Sequence, residues 1–190
     1  MKALEEKILN EGVVLEGNIL KVGSFLNQQI DVELLTQMGK EISEIYKNCG
    51  ATKILTIESS GIAIAVGAGM VMGIPVIFAK KHKSANVSGN VYTTQVYSYT
   101  HKEMYSVVLG SDYLKSDDKV IIIDDFLANG KAVNGLIDIV NQAGAMLLGV
   151  TCAIEKGFQG GGDKLREQGI RVESLAVVDK LDPITGIEFR

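Results

Sequence analysis

Apolar and polar positions follow two different periods along this chain. Val120, Ile121, Ile122 and Ile123 form an unbroken apolar run behind the polar Ser116, Asp117, Asp118 and Lys119. The run is too short for a helix core and rich in β-branched side chains, so it reads as a strand covered on both faces. Lys53–Ile57, Ile74–Ala79 and Met146–Ile154 read as further strands. Between them the period lengthens. Leu35, Met38, Ile42 and Ile45 recur at helical spacing behind Asp31, a candidate N-cap, and that helix is expected to end near Asn48 and Gly50. Val133, Leu136, Ile137 and Val140 fall at i, i+3, i+4 and i+7, with Gly144 as the stop. Shorter helices are expected over Met1–Glu11, with Leu4 and Ile8 on one face, and over Asp163–Gln168, closed by Gly169. Gly12–Phe25 reads as an irregular arm, Val91–Thr100 as a half-exposed strand pairing with Tyr105–Leu109 in a hairpin, and Arg171–Val178 as a last strand at the sheet edge. The pattern is that of an α/β protein with a mainly parallel sheet flanked by helices.

Composition narrows the classes. At 190 residues and 46% hydrophobic content the chain can bury one full core. With neither internal repeats nor a low-complexity linker, 1–190 is expected to be a single domain, with 1–50 as an arm and first long helix and 51–190 as the core. A net charge of −4 argues against nucleic acid as a partner, because counterion release needs a concentrated positive face. Cys49 and Cys152 lack metal-ligand spacing and are expected to be free thiols of a cytoplasmic protein. Lys2, Glu5, Glu6 and Lys7 do not fit a secretory leader. Gly61–Ala79 is uncharged and approaches a membrane span in length, but Gly73-Ile74-Pro75 splits it into a helix and a strand, so no membrane partner is expected.

The candidate chemistry sits just after the Val120–Ile123 run. Asp124 and Asp125 precede a small-residue loop, Ala128, Asn129, Gly130, Lys131 and Ala132, that opens onto a helix. Ligands of open α/β sheets collect at such strand ends, and a helix N-terminus with accessible amides suits a phosphate. Two carboxylates in the same bend would repel that phosphate unless they face sugar hydroxyls or a divalent metal. A phosphorylated ribose satisfies both features. Glu58-Ser59-Ser60-Gly61 is a second polar turn from strand into helix, readable either as a second phosphate cradle or as a plain capping turn. The run Lys80, Lys81, His82 and Lys83 reads on its own as a solvated turn, and neither His82 nor His101 has a partner pattern that would carry chemistry.

The apolar strand, two acids and loop resemble the signature by which type I phosphoribosyltransferases bind 5-phosphoribosyl-1-diphosphate (PRPP). The resemblance to the purine-specific members extends over the whole chain, through K-V-G-S-F-L-N-Q-Q-I-D, E-S-S-G-I and A-I-E-K-G-F. It implies the type I phosphoribosyltransferase fold, with an N-terminal hood and a flexible β-hairpin flap. It also implies transfer of phosphoribose from PRPP to xanthine in purine salvage, Mg²⁺ brought in by PRPP without a direct protein ligand, and a homodimer. Asp124 and Asp125 would face the ribose or metal waters. Glu58, Ser59, Ser60 and Gly61 would hold the pyrophosphate with Lys81 reaching in from the flap, and Leu20, Asn27, Lys156 and Phe158 would contact the base. One departure stands out: relatives place hydroxyls in the phosphate loop where this chain has Ala128, Asn129, Lys131 and Ala132, so phosphate would rest on amides, the Asn129 side chain and the Lys131 charge. The alternatives are another purine base on the same fold, or a non-catalytic regulator that senses PRPP or purine. The latter is disfavoured by the absence of a helix-turn-helix pattern before Lys53. The spacing Gly67, Gly69, Gly73 suggests a dinucleotide oxidoreductase only weakly, since it lies inside a helix pattern. No G-x-x-x-x-G-K-[ST] is present to make the acids a Walker B strand end.

Overall fold

Alternating strand and helix periods fold most simply as β-α-β units with parallel strands, and the computed structural model, which describes residues 1–81, 89–98 and 103–190, contains such units. In chain order it runs α1 (Lys2–Glu11), β1 (Val13–Leu15), β2 (Ile19–Lys21), a turn of π-helix (Gly23–Asn27), α2 (Val32–Ile45), β3 (Lys53–Ile57), α3 (Gly61–Met72), β4 (Val76–Ala79), β5 (Val91–Ser98) and β6 (Glu103–Gly110). Then come β7 (Lys119–Leu127), α4 (Lys131–Gln142), β8 (Met146–Lys156), a 3₁₀ turn (Gly157–Gln159), α5 (Gly161–Glu167), β9 (Val172–Asp182) and β10 (Gly186–Phe189).

The main sheet has the order β10-β9-β8-β7-β3-β4, parallel throughout except for β10. Its centre explains the apolar run. Ile121 and Ile123 enter a core shared with Ile54, Ala153 and residues of α1, α2 and α3, among them Leu4, Met38 and Ile64. Val120 and Ile122 enter a second core with Leu55, Val150 and the Leu136 and Val140 of α4. All four are fully buried, and each side chain so buried contributes about 1.5–3 kcal/mol relative to exposure. The N-terminal arm adds Leu20, Val22, Phe25 and Leu26 to the first core. Asp31 caps α2 as expected, its Oδ1 accepting from the N–H groups of Glu33 at 3.1 Å and Leu34 at 3.0 Å.

The glycines of α3 serve packing. A Cβ on Gly69 would lie 2.7 Å from Val76 Cγ2, and one on Gly39 of α2 would lie 2.5 Å from the Gly67 carbonyl oxygen. The spacing that suggested a dinucleotide site therefore lets α3 sit close to α2 and β4. Gly73 (φ 68°) ends α3 ahead of Pro75, so the uncharged stretch is a helix and a strand. Among the described residues no helix is long and apolar enough to cross a membrane. Cys49 and Cys152 are free.

Four expectations need correction. The arm over Gly12–Phe25 is not irregular: β1 and β2 pair as a hairpin, Val14 opposite Leu20. β7 continues through both acids to Leu127, because its pairing with β8 persists to Leu127–Glu155. β8 likewise takes in Glu155 and Lys156. The strand over Arg171–Val178 is not at the edge: β9 lies between β8 and β10, since the Asp182 carboxylate accepts from the N–H groups of Ile184 and Thr185 and turns the chain back. β5 and β6 pair as the expected hairpin, bridged to the sheet through Lys80–Val108. The readings placed on His82, on most of Ser84–Asn90, on Tyr99 and Thr100, and on His101 fall outside the described residues.

Ala at an exposed helix glycine gains up to about 1 kcal/mol of propensity. Gly39→Ala is expected to lose more than that, a net destabilisation of about 1–3 kcal/mol in urea unfolding, because its methyl meets the Gly67 backbone. A stabilised variant would show that α2 and α3 can part without penalty.

Candidate functional site

Parallel pairing of β3 with β7, Ile54 opposite Ile121, places two strand-to-helix turns side by side. Glu58–Ser60 leads from β3 to α3, and Ala128–Gly130 leads from β7 to α4. Between them opens a cleft of about 270 Å³ lined by Ile57, Glu58, Ser59, Ser60, Lys81, Tyr105, Asp124, Asp125, Phe126 and Ala132. Both acids, the second turn, Lys81 and one residue of the phosphate loop thus share one cavity.

Asp124 is 5% exposed, and its Oδ1 accepts from the Asp125 N–H at 2.9 Å. Burial first, and the adjacent Asp125 second, push its carboxyl well above the usual carboxylate range. Tyr105 stands across the cleft, its phenol also pushed up by burial and by Asp124. Lys81 holds its ammonium 5.8 Å from the Tyr105 ring, while its backbone N–H donates to Glu58 Oε1 at 2.6 Å. A Cβ on Gly61 would lie 2.4 Å from Thr56 Oγ1 and 2.9 Å from Asp124 Oδ1, so only glycine fits where α3 starts against the acid. The Thr56 hydroxyl is buried there with no hydrogen-bond partner among the described residues.

Both turns present backbone donors. Among the described residues, no acceptor meets the N–H groups of Ser59, Ser60 and Gly61, nor those of Asn129, Gly130 and Ala132. Gly130 takes φ 80°, which favours glycine, and its carbonyl accepts from Asn134 Nδ2 at 2.8 Å. The Asn129 side chain turns its oxygen to the Lys131 N–H at 3.1 Å, and Lys131 is exposed. Each set of amides lies at the N-terminus of a 12-residue helix, where the dipole favours an anion.

The residues read as base contacts lie beyond this lining. Lys156, at the end of β8, donates to the Asn18 carbonyl at 2.8 Å and lies 5.5 Å from the Phe126 ring. Burial lowers its pKa below the usual lysine range. Leu20 is buried in β2, two residues after Asn18, whereas Asn27 and Phe158 are exposed. Phe126 bridges the two regions, since it lines the cleft and carries the lysine. Phe126, Tyr105 and Asn18 were not singled out in the sequence. A large aromatic beside paired acids at a strand end is a readable signal for Phe126. Tyr105 reads only as one half of a hairpin, and Asn18, which takes φ 61°, only as a turn residue.

No family model matches the chain. It is 53% identical over 192 residues, covering all of both chains, to a protein named xanthine phosphoribosyltransferase from Bifidobacterium adolescentis. It is 54% identical over 182 residues to the protein of that name from Bacillus cereus, covering 96% of this chain and 92% of the other. Among solved structures it is similar to the adenine phosphoribosyltransferase of Giardia lamblia complexed with 9-deazaadenine, with a TM-score of 0.77 and 17% identity over 92% of this chain and 96% of that one. The adenine phosphoribosyltransferase of Saccharomyces cerevisiae gives 0.74 and 18% over 92% and 99%. At such low identity the structural likenesses carry the fold alone.

Asp124→Asn keeps an oxygen for the Asp125 N–H and removes a buried ionisation. A carboxyl whose pKa is raised on folding contributes stability in full below its unfolded value and loses it as pH rises through the folded one. The variant's melting temperature is expected to exceed the wild type's at neutral and alkaline pH, with the difference shrinking on acidification. A difference independent of pH would show that Asp124 ionises as it does in water.

Proposed function

The chain belongs to the xanthine phosphoribosyltransferase family, and from that membership we propose how its residues divide the reaction. The chain has the type I phosphoribosyltransferase fold. It transfers the 5-phosphoribosyl group of PRPP to xanthine, giving xanthosine 5′-monophosphate and pyrophosphate in purine salvage. The observation that carries the division of labour is the pair of amide clusters, each at a helix N-terminus, on either side of one acid-lined cleft.

Breaking the anomeric C–O bond leaves oxocarbenium-like charge on the ribose. The Asn129, Gly130 and Ala132 amides hold the 5′-phosphate, with Ala128 and Lys131 completing the loop. The Ser59–Gly61 amides hold the pyrophosphate, with Glu58 orienting Lys81 toward it. Clamped at both ends, the sugar is fixed for in-line attack. Asp125 and Asp124 accept from the ribose hydroxyls and oppose the developing positive charge, an electrostatic role suited to a site from which water is excluded. Phosphoribosyltransferases of this type use PRPP with Mg²⁺. The two carboxylates are hard oxygen acceptors that suit this ion and its waters, and Mg²⁺ bound to PRPP would neutralise the leaving pyrophosphate.

Lys156 supplies the base selectivity. Xanthine offers ring carbonyls and ionises near neutrality, so a cation beside it is favourable. Adenine would give that cation no acceptor beyond the Asn18 carbonyl, a mismatch of the kind able to discriminate by roughly 10⁴-fold. Leu20 and Asn27 of the hood and Phe158 complete the base side. The whole chain acts as one catalytic domain. A cytoplasmic homodimer fits the outward apolar residues of α3, Val66, Met70 and Val71.

Pyrophosphate release from PRPP with each purine tests the activity, and release with adenine but not xanthine would overturn it. Lys156→Ala is expected to lower kcat/KM for xanthine by about 10- to 100-fold, the worth of hydrogen bonds to a charged group, while the KM for PRPP holds. Equal losses would remove the base-contact role. Because burial lowers the Lys156 pKa and the ammonium form binds, wild-type kcat/KM for xanthine should decline with rising pH before an ordinary lysine would titrate. Asp125→Ala is expected to lower kcat at saturating xanthine by about 10²-fold, and an unchanged kcat would make the acid structural.

A further inference from the structure

Glu155 is the one residue of the A-I-E-K-G-F segment with a buried charge, and the reaction as described gives it nothing to do. Its carboxylate is 1% exposed. Arg166 of α5 grips it with both arms of the guanidinium, Nη1 to Oε1 at 2.9 Å and Nη2 to Oε2 at 2.7 Å. The Ser174 hydroxyl also donates to Oε2, and Arg166 donates onward to Asp163 at 3.1 Å and to the Val172 carbonyl at 3.4 Å. Burial would favour the neutral acid, but the Arg166 and Ser174 hydrogen bonds and the Arg166 charge overcome it and hold the carboxyl below the usual range.

The other end of α5 touches the phosphate loop. The Gly161 N–H donates to the Ala128 carbonyl at 3.1 Å. A Cβ on Gly161 would lie 2.3 Å from that oxygen and 2.7 Å from Gly130 N, and one on Gly162 would lie 2.0 Å from Glu155 Oε1. The first turn of α5 is thus wedged between the loop and the carboxylate, with no room for a methyl on either side.

We propose that the Glu155–Arg166 pair is a positioning device for PRPP: it fixes α5, and through Gly161 and Gly162 it fixes the Ala128–Ala132 loop in the shape that receives the 5′-phosphate. A buried ion pair adds little net stability compared with apolar side chains of the same volume. What a two-pronged guanidinium–carboxylate contact adds is direction and register. This loop, in which Ala128–Ala132 carries no side-chain hydroxyl, relies on amide placement and has correspondingly more to lose from a displaced backbone. The inference rests on the assignment of those amides to the 5′-phosphate.

Steady-state kinetics and amide hydrogen exchange on Arg166→Ala and Arg166→Lys test it. The KM for PRPP is expected to rise about tenfold in Arg166→Ala, the scale of loss when a group that orients a ligand is removed, and less in Arg166→Lys. The KM for xanthine and kcat should stay within about twofold of the wild type. Exchange should quicken over 128–133 and stay unchanged in β3 and β4. If Arg166→Ala does not fold, Arg166→Lys carries the comparison alone. Unchanged loop exchange, or exchange quickened through the whole sheet with both substrates weakened alike, overturns the brace. Quickened loop exchange with an unchanged KM for PRPP overturns the placement of the phosphate instead.

Discussion

Parallel pairing of β3 with β7 is the constraint on which the rest of the molecule depends. It directs the carboxyl ends of two neighbouring strands to the same edge of the sheet, so that the turns opening α3 and α4 both border one cleft. Neither turn is sufficient alone. A single helix N-terminus offers one anion site of modest strength, whereas two across a 270 Å³ cleft match a molecule with phosphate at both ends. The apolar side chains on both faces of β7 fix its register, because a slip of one residue would send Ile121 and Ile123 to the wrong core.

The acids at the end of that strand work against stability. Asp124 is buried beside a second carboxylate and so near Gly61 that no Cβ fits there, with the Thr56 hydroxyl, unpartnered among the described residues, close by. Such crowding of polar groups is expected where function opposes packing, and the raised Asp124 carboxyl reports it. The surroundings supply the offset in the fully buried isoleucines beneath the acids. The two neighbouring strands thus treat carboxylates oppositely. Among the described residues Asp124 has no cation bonded to it and its carboxyl is pushed up, whereas Glu155 has Arg166 and is held down.

Much of this was legible in the sequence, for identifiable reasons. The double burial of Val120–Ile123, the Asp31 cap and the small-residue loop are local properties, set by neighbours in the chain. The features that escaped depend on distant partners. β10 forms because Asp182 turns the chain and β9 offers an open edge. β7 runs past its acids because β8 continues to pair with it. Phe126 matters because Lys156, 30 positions later, comes to rest above it. Glu155 was given no role from the sequence, and only the fold of α5 reveals Arg166 as its partner.

In the division of labour proposed above, Lys156 combines the hood and the core into one selectivity device. Before any base binds, its ammonium is half-buried and satisfied by one backbone carbonyl, that of Asn18 in the β1–β2 turn. A lysine with three donors and, among the described residues, one hydrogen-bond acceptor keeps donors to offer. An incoming purine that brings a carbonyl or an anion improves this balance. One that brings an amino group worsens it, because donor then faces donor. Discrimination needs no moving part in this scheme, only a cation held short of partners by a hairpin whose own side chains, Val14 and Leu20, are anchored in the core. The arm at the start of the chain therefore does more than cover the sheet: by fixing one carbonyl, it sets what the lysine still lacks.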